Sequence, residues 1–187
     1  RSPILTRLAT IDPTKAQGDI KATLDAVNNQ LGVTPNLFKV AANSAAALNA
    51  LVHMTGALAK GKLNARVRES IALAVAQANG CDYCLSAHTV LGKGAGLSET
   101  EISSARIGNT SDARTRAILD LALAIVRDRG RLDEAAVVTA RTAGVSDGEI
   151  AEVVGNVALN VFTNYLNLVA DTDIDFPPVH ATEVAHA

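Results

Sequence analysis

The sequence contains no tryptophan, and aromatic residues make up only 3% of its 187 positions. Strands usually draw on aromatic and β-branched side chains to fill a pleated face, so this poverty argues against a β-rich fold. Excess charge of either sign is also missing: the net charge is −2, so neither nucleic acid nor an anionic membrane is expected as a partner. No apolar run approaches the ~18 residues that would cross a bilayer. Arg1-Ser2-Pro3-Ile4-Leu5 lacks the charged-then-apolar layout of a secretory signal. Cysteine is scarce too. The two that exist, Cys81 and Cys84, sit three apart. A secreted scaffold would carry several dispersed pairs, so a lone Cys-x-x-Cys points to redox or metal chemistry in a reducing compartment, and the expected location is cytoplasmic.

What the chain has is alanine and helix punctuation. A hydrophobic fraction of 48% with so few aromatics favours closely packed helices with small residues at their contacts. The length fits one domain over residues 1–187. Apolar periodicity predicts helices over Thr14–Leu31 (ended by Gly32), Asn36–Ala42, Ser44–Lys60 (stopped by Gly61), Ala65–Asn79 and Cys81–Lys93. Thr34 reads as the cap of the second, with Pro35 at its first helical position. Asn64 caps the fourth, and Gly80 ends it. Two capping boxes follow, Ser98 with Glu101 and Ser146 with Glu149. Each is flanked by a hydrophobic staple, Leu97 with Ile102 and Val145 with Ile150. Between the boxes lie helices over Ser111–Arg129 and Asp133–Ala143, ended by Gly130 and Gly144, and a last helix runs to about Ala170. The tail, 171–187, contains Pro177-Pro178 and reads as extended. No strand pair is evident, and the expected fold class is all-α.

The chain also repeats itself at an offset of 48 residues, with copies at about 65–102 and 113–150. Ala65-Arg66-Val67-Arg68 answers to Ala113-Arg114-Thr115-Arg116, Leu73-Ala74 to Leu121-Ala122, Ala95-Gly96-Leu97-Ser98 to Ala143-Gly144-Val145-Ser146, and Glu101-Ile102 to Glu149-Ile150. Each copy is a helical hairpin plus the start of a third helix. Such a unit buries little alone and needs neighbours, either the other copy or another subunit.

One set of residues carries chemistry: Glu69, Cys81, Cys84 and His88, in the pattern E-x11-C-x-x-C-x3-H. Residues three and four apart share a helix face, so Cys81, Cys84 and His88 line one stripe. Helix geometry puts Cα atoms three residues apart at ~5 Å, inside the range a disulfide tolerates. If the helices on either side of Asn79-Gly80 pack antiparallel, Glu69 lies ~15 Å down one and His88 ~11 Å down the other, at nearly the same level. That arrangement offers a nucleophile, a base and a carboxylate to orient the base. The helix start adds a positive dipole end, which favours a thiolate at Cys81. The second copy carries Ala117, Arg129, Leu132 and Ala136 at the four matching positions, so the hairpin folds without the reactive set. Two alternatives stand beside this reading: a bland one, buried small hydrophobes with a structural histidine, and a sharper one, a zinc site built from two thiolates, an imidazole and a carboxylate.

Glu69, Cys81-Asp82-Tyr83-Cys84 and His88 resemble the motif of alkylhydroperoxidase D and its relatives in the carboxymuconolactone decarboxylase-like superfamily. Thr34-Pro35-Asn36-Leu37-Phe38 and the final helix resemble its peroxidase-related branch, and the likeness covers roughly residues 20–176. The resemblance implies an all-helical alkylhydroperoxidase D-like domain, assembly into trimers or hexamers, and reduction of hydroperoxides by a dithiol centre. It also implies that Cys84 is the peroxidatic cysteine and Cys81 the resolving one. Some relatives carry a histidine between the cysteines, where this chain has Tyr83. The decarboxylases proper lack the cysteine pair, which argues against that activity here. The implied cycle needs no cofactor and no metal, only a hydroperoxide substrate and an external dithiol or thiol-reductase donor. His88, oriented by Glu69, serves as base. Two rival functions remain at this point, a protein thiol–disulfide oxidoreductase and a zinc-stabilised, non-enzymatic assembly module.

Other features carry less. Asn156, Asn160, Asn164 and Asn167 form a polar stripe at helical spacing on the last helix; it can line a pocket or an interface, or be satisfied within the core. His53, His180 and His186 have no partner nearby in sequence and read as surface or packing residues. Arg66, Arg68, Arg114 and Arg116 are expected to make ion pairs near helix starts.

Overall fold

Local punctuation sets most of the helix ends. In the computed structural model, which describes residues 7–182, nine helices and no strand occur among the described residues. Arg1–Thr6 and 183–187, with His186, lie outside them. In chain order the helices are α1 (Gly18–Leu31), α2 (Asn36–Ala41), α3 (Ala45–Leu58), α4 (Ala65–Ala78), α5 (Asp82–Gly94), α6 (Glu99–Arg106), α7 (Ala113–Asp128), α8 (Glu134–Thr142) and α9 (Asp147–Ala170). The Asn64 carboxamide accepts the Val67 N–H, and both capping boxes form in full.

The α3, α5 and α8 starts move by one residue, because Ser44, Cys81 and Asp133 are caps, and α7 starts two residues late behind the Asp112 cap; two other starts differ more. α1 begins at Gly18, not Thr14, because the Asp12 carboxylate captures the Thr14 N–H and hydroxyl in a separate turn. Gly18 then takes φ of +56°, a conformation no preceding helical turn could run through. At α2, Pro35 is the cap residue rather than the first helical one, and Thr34 does not cap. The Asn36 N–H is satisfied instead by Asp175 Oδ2 at 2.8 Å, from the far end of the chain.

α4 is the hub. Its Ser70–Gln77 stretch is buried without a break, as expected for a helix lacking a polar face there, and it packs against α5, α6, α7 and α9. The repeat recurs as geometry. Arg66 bonds the Gly96 carbonyl and Glu101, and Arg114 bonds the Gly144 carbonyl and Glu149. Each guanidinium thereby ties its own hairpin to its own capping box. Arg116 pairs with Asp120. Arg68 departs from the expected ion pair and bonds the Leu63 carbonyl.

α9 meets the length and hydropathy expected of a bilayer-crossing helix, with a window mean hydropathy of 1.2, whereas the sequence reading found no apolar stretch of that size. The window includes the asparagine stripe, and the helix packs on α2, α3, α4, α5 and α7, as a core helix does. Up to residue 182 the tail holds no helix or strand. It crosses the start of α5, with the Val179 N–H donating to Ser86 Oγ at 2.8 Å and Gln77 Nε2 donating to the Thr182 carbonyl at 2.8 Å.

Candidate active site

Cys81 caps α5: its Sγ accepts the Cys84 N–H at 3.3 Å. It is bonded to Cys84 as a disulfide, with Cα atoms 5.3 Å apart, close to the ~5 Å that the helical spacing dictates. The two cysteines are 1% and 2% exposed. Across the α4–α5 hairpin, His88 Nδ1 stands 2.8 Å from Glu69 Oε2, with both side chains 20% exposed. The pairing occupies Nδ1 and leaves Nε2 as the ring nitrogen for proton transfer. The structure therefore brings together all four residues singled out by their spacing. Among the described residues, no group of three or more His, Cys, Asp or Glu side chains is placed to hold a metal ion.

Cys84, His88 and Glu69 share the wall of one cavity of about 470 Å³. Leu37, Phe38, Leu51, Leu58, Leu159 and Phe176 make much of its surface apolar, and the volume falls in the range of small-molecule sites. Cys81 does not line it. The sulfur a small molecule meets is that of Cys84.

The asparagine stripe divides. Asn156 and Asn160 line the cavity, yet each donates Nδ2 to the carbonyl four residues back, Glu152 O and Asn156 O, both at 2.8 Å. Asn164 faces Asn79, whose Nδ2 donates to its Oδ1 at 2.9 Å. Asn167 reaches the disulfide: its Nδ2 donates to Cys84 Sγ at 3.4 Å. The spacing marked these residues as one polar face, but nothing in it distinguished Asn167 from the others.

Contacts of Tyr83 and of Asp82 escaped the sequence reading. Tyr83 is held by two partners, its hydroxyl donating to Asp175 Oδ1 at 2.8 Å and accepting the Leu37 N–H at 3.0 Å. Burial pushes its hydroxyl far above the usual tyrosine range, and the Asp175 charge adds to the rise. Its ring meets Phe176 edge-on at 5.7 Å. Tyr83 is therefore a structural tie between α5, α2 and the tail. His180, expected to lack a partner, places Nδ1 2.7 Å from Asp82 Oδ2, while Asp82 Oδ1 accepts the Ala181 N–H. Burial pushes the Asp82 carboxyl up, but the Ala181 N–H, the His180 ring and Arg106 outweigh it and hold the carboxyl below its usual range. His53 is exposed, as expected.

Residues 45–111 match the model of the Carboxymuconolactone decarboxylase family. No curated protein matches the chain. Among solved structures, an uncharacterized peroxidase-related protein with an alkylhydroperoxidase AhpD core, from Ralstonia eutropha JMP134, superposes with a TM-score of 0.82 at 22% identity, over 91% of this chain and 93% of its own. An uncharacterized peroxidase-related protein from Silicibacter sp. TM1040 has a TM-score of 0.76 at 24% identity, over 96% and 93%. A cysteine-to-alanine variant of the debrominase Bmp8, crystallised with 2,3,4-tribromopyrrole, has a TM-score of 0.75 at 20% identity, over 93% and 92%. The fold is that of the alkylhydroperoxidase D core.

Proposed function

We propose that this chain, whose residues 45–111 match the Carboxymuconolactone decarboxylase family, is a member of that superfamily and a thiol-dependent peroxidase that reduces organic hydroperoxides at Cys84. The observation that carries the reading is the convergence of Cys84 and the His88–Glu69 pair on one apolar cavity. In the reduced enzyme His88 Nε2 takes the Cys84 proton. The thiolate attacks the distal peroxide oxygen, the O–O bond breaks, and the departing alkoxide takes the proton back from His88. Cys84 is left as a sulfenic acid. The Cys81 sulfur then attacks Cys84, expelling the hydroxyl as water and forming the disulfide, and an external dithiol restores the pair. The Cys84 N–H on Cys81 Sγ stabilises Cys81 as the leaving thiolate in that last step. A reducing compartment such as the cytoplasm fits this cycle.

Burial of both sulfurs favours a small molecule over a folded protein as the partner of this disulfide, for the substrate and for the dithiol donor alike, and so disfavours the protein thiol–disulfide oxidoreductase reading. The same dithiol beside an apolar cavity also has the two electrons to exchange a C–Br bond for C–H, releasing bromide as the disulfide forms, and Bmp8 is a debrominase. The test is turnover with dithiothreitol as donor. Cumene hydroperoxide should be consumed faster than hydrogen peroxide, and Cys84→Ser should abolish consumption. Bromide release from a bromopyrrole without peroxide turnover would replace this reading with a debrominase.

A further inference from the structure

Asn167 stands apart from the other stripe residues. It is 3% exposed and lines the cavity. Its Nδ2 rests on Cys84 Sγ, and its Oδ1 is buried with no hydrogen-bond partner. A buried carbonyl without a donor is unusual and calls for an explanation in the site's chemistry. The residue is held firmly: its backbone carbonyl accepts the N–H groups of Asp171 and Thr172 where α9 ends. The carboxamide therefore presents a donor and a free acceptor beside the sulfur. The Nδ2 of Asn164 is also unpartnered, but that residue points at Asn79 and does not line the cavity.

We propose that Asn167 is a catalytic residue, its amide N–H holding the Cys84 thiolate and its amide carbonyl receiving the O–H of the hydroperoxide and then of the sulfenic acid. The inference rests on Cys84 being the cysteine that meets peroxide. A thiolate accepts from an N–H donor more strongly than a thiol does, so the amide favours the reactive form. The distal oxygen of a hydroperoxide carries its hydrogen, and Asn167 Oδ1 takes that hydrogen bond as the sulfur approaches. When the S–O bond forms and the O–O bond breaks, the same O–H belongs to the sulfenic acid and keeps the bond. When Cys81 closes the disulfide that oxygen leaves as water, and Oδ1 loses its donor.

The experiment uses the full chain in a Cys81→Ser background, comparing Asn167→Leu, Asn167→Ala and Asn164→Ala. The first readout is the pH profile of Cys84 alkylation by iodoacetamide. The second is trapping of sulfenic acid after cumene hydroperoxide. Losing a donor to the thiolate should move the Asn167→Leu midpoint up by about one unit, close to a tenfold fall in thiolate fraction at neutral pH. Sulfenic acid should form more slowly and decay faster. Asn167→Ala should behave likewise, and decides the matter if the leucine variant does not fold. Asn164→Ala should lower the melting temperature and leave the profile in place. Coincident profiles for the parent and the Asn167 variants overturn the proposal. A parent that alkylates with the expected dependence on Asn167 but forms no sulfenic acid upholds the amide–thiolate contact, overturns its O–H half, and removes the peroxidase reading instead.

Discussion

His88 Nδ1 and Glu69 Oε2 meet at 2.8 Å across two helices joined by a tight turn. Neither residue has a counterpart in the second repeat, where Ala117 and Ala136 stand. The pair is therefore dispensable for the hairpin and available for chemistry. His88→Ala should slow peroxide reduction by about 100-fold, the usual loss of a positioned base. Glu69→Gln should act in the same direction, since it leaves the ring without its carboxylate anchor. Thiol alkylation of the reduced protein at pH 7 should slow in both, with melting temperatures close to the parent's. Identical alkylation profiles in all three proteins would make the pair structural only.

The two cysteines should divide their labour. Cys84 faces the cavity and Cys81 does not. Mild oxidation should remove two hydrogens from the monomer mass as the intramolecular disulfide forms. Cys84→Ser should abolish turnover, whereas Cys81→Ser should allow one round of oxidation to sulfenic acid, trapped by dimedone and located by mass spectrometry. The α5 start argues for the opposite assignment, because it favours a thiolate at Cys81. Sulfenic acid on Cys81 in the Cys84→Ser protein would reverse the roles.

Tyr83→Phe removes the hydroxyl that joins Asp175 to the Leu37 N–H. The expected cost is about 1–2 kcal/mol, the loss on leaving a part-buried N–H without its acceptor. Because the same segment caps α2 through Asp175, the tail should become open to proteolysis at 172–182 before the rest unfolds. A tail as resistant as the parent's would show that the hydroxyl contributes little.

Acid should act through Glu149. The Ser146 N–H and Arg114 hold its carboxyl down to about 2, against an ordinary value of 4.5. A carboxyl with a depressed folded value contributes stability above its unfolded value, and that contribution disappears as pH falls through the folded one. The Glu149 contribution should be whole above about pH 4.5 and gone near pH 2. Denaturant midpoints measured across that window should fall more steeply for the parent than for Glu149→Gln. Parallel curves would assign the acid loss to other groups.

Several large apolar side chains remain uncovered: Ile107 is 71% exposed, Val169 60%, and Tyr165 and Val33 55% each. Tyr165, Leu168 and Val169 share the end of α9. Exposed clusters of this kind mark association surfaces, and repeated hairpins with little aromatic core gain from burial between subunits. The chain should assemble into a closed homo-oligomer, a trimer or hexamer, in light scattering at micromolar concentration. A monomeric mass refutes it.

The sequence alone determined whatever depends on neighbours along the chain. Asn64, Ser98 and Ser146 cap helices because each side chain needs only the N–H three residues on. The three-four spacing put Cys81, Cys84 and His88 on one face. A tight turn at Asn79-Gly80 is enough to bring Glu69 level with His88, so this pair was legible before any coordinates. At α2 the cap was misread because a distant group, Asp175, supplies it, and at α1 because Asp12 ties Thr14 into a turn of its own. The remainder was decided by tertiary structure. Asn167 lies 83 residues from Cys84, Tyr83 lies 92 from Asp175, and Asp82 lies 98 from His180. Helical periodicity fixes which residues share a face but not which other helix that face meets. That choice comes from how α4, with no polar side along Ser70–Gln77, must be covered on all sides at once.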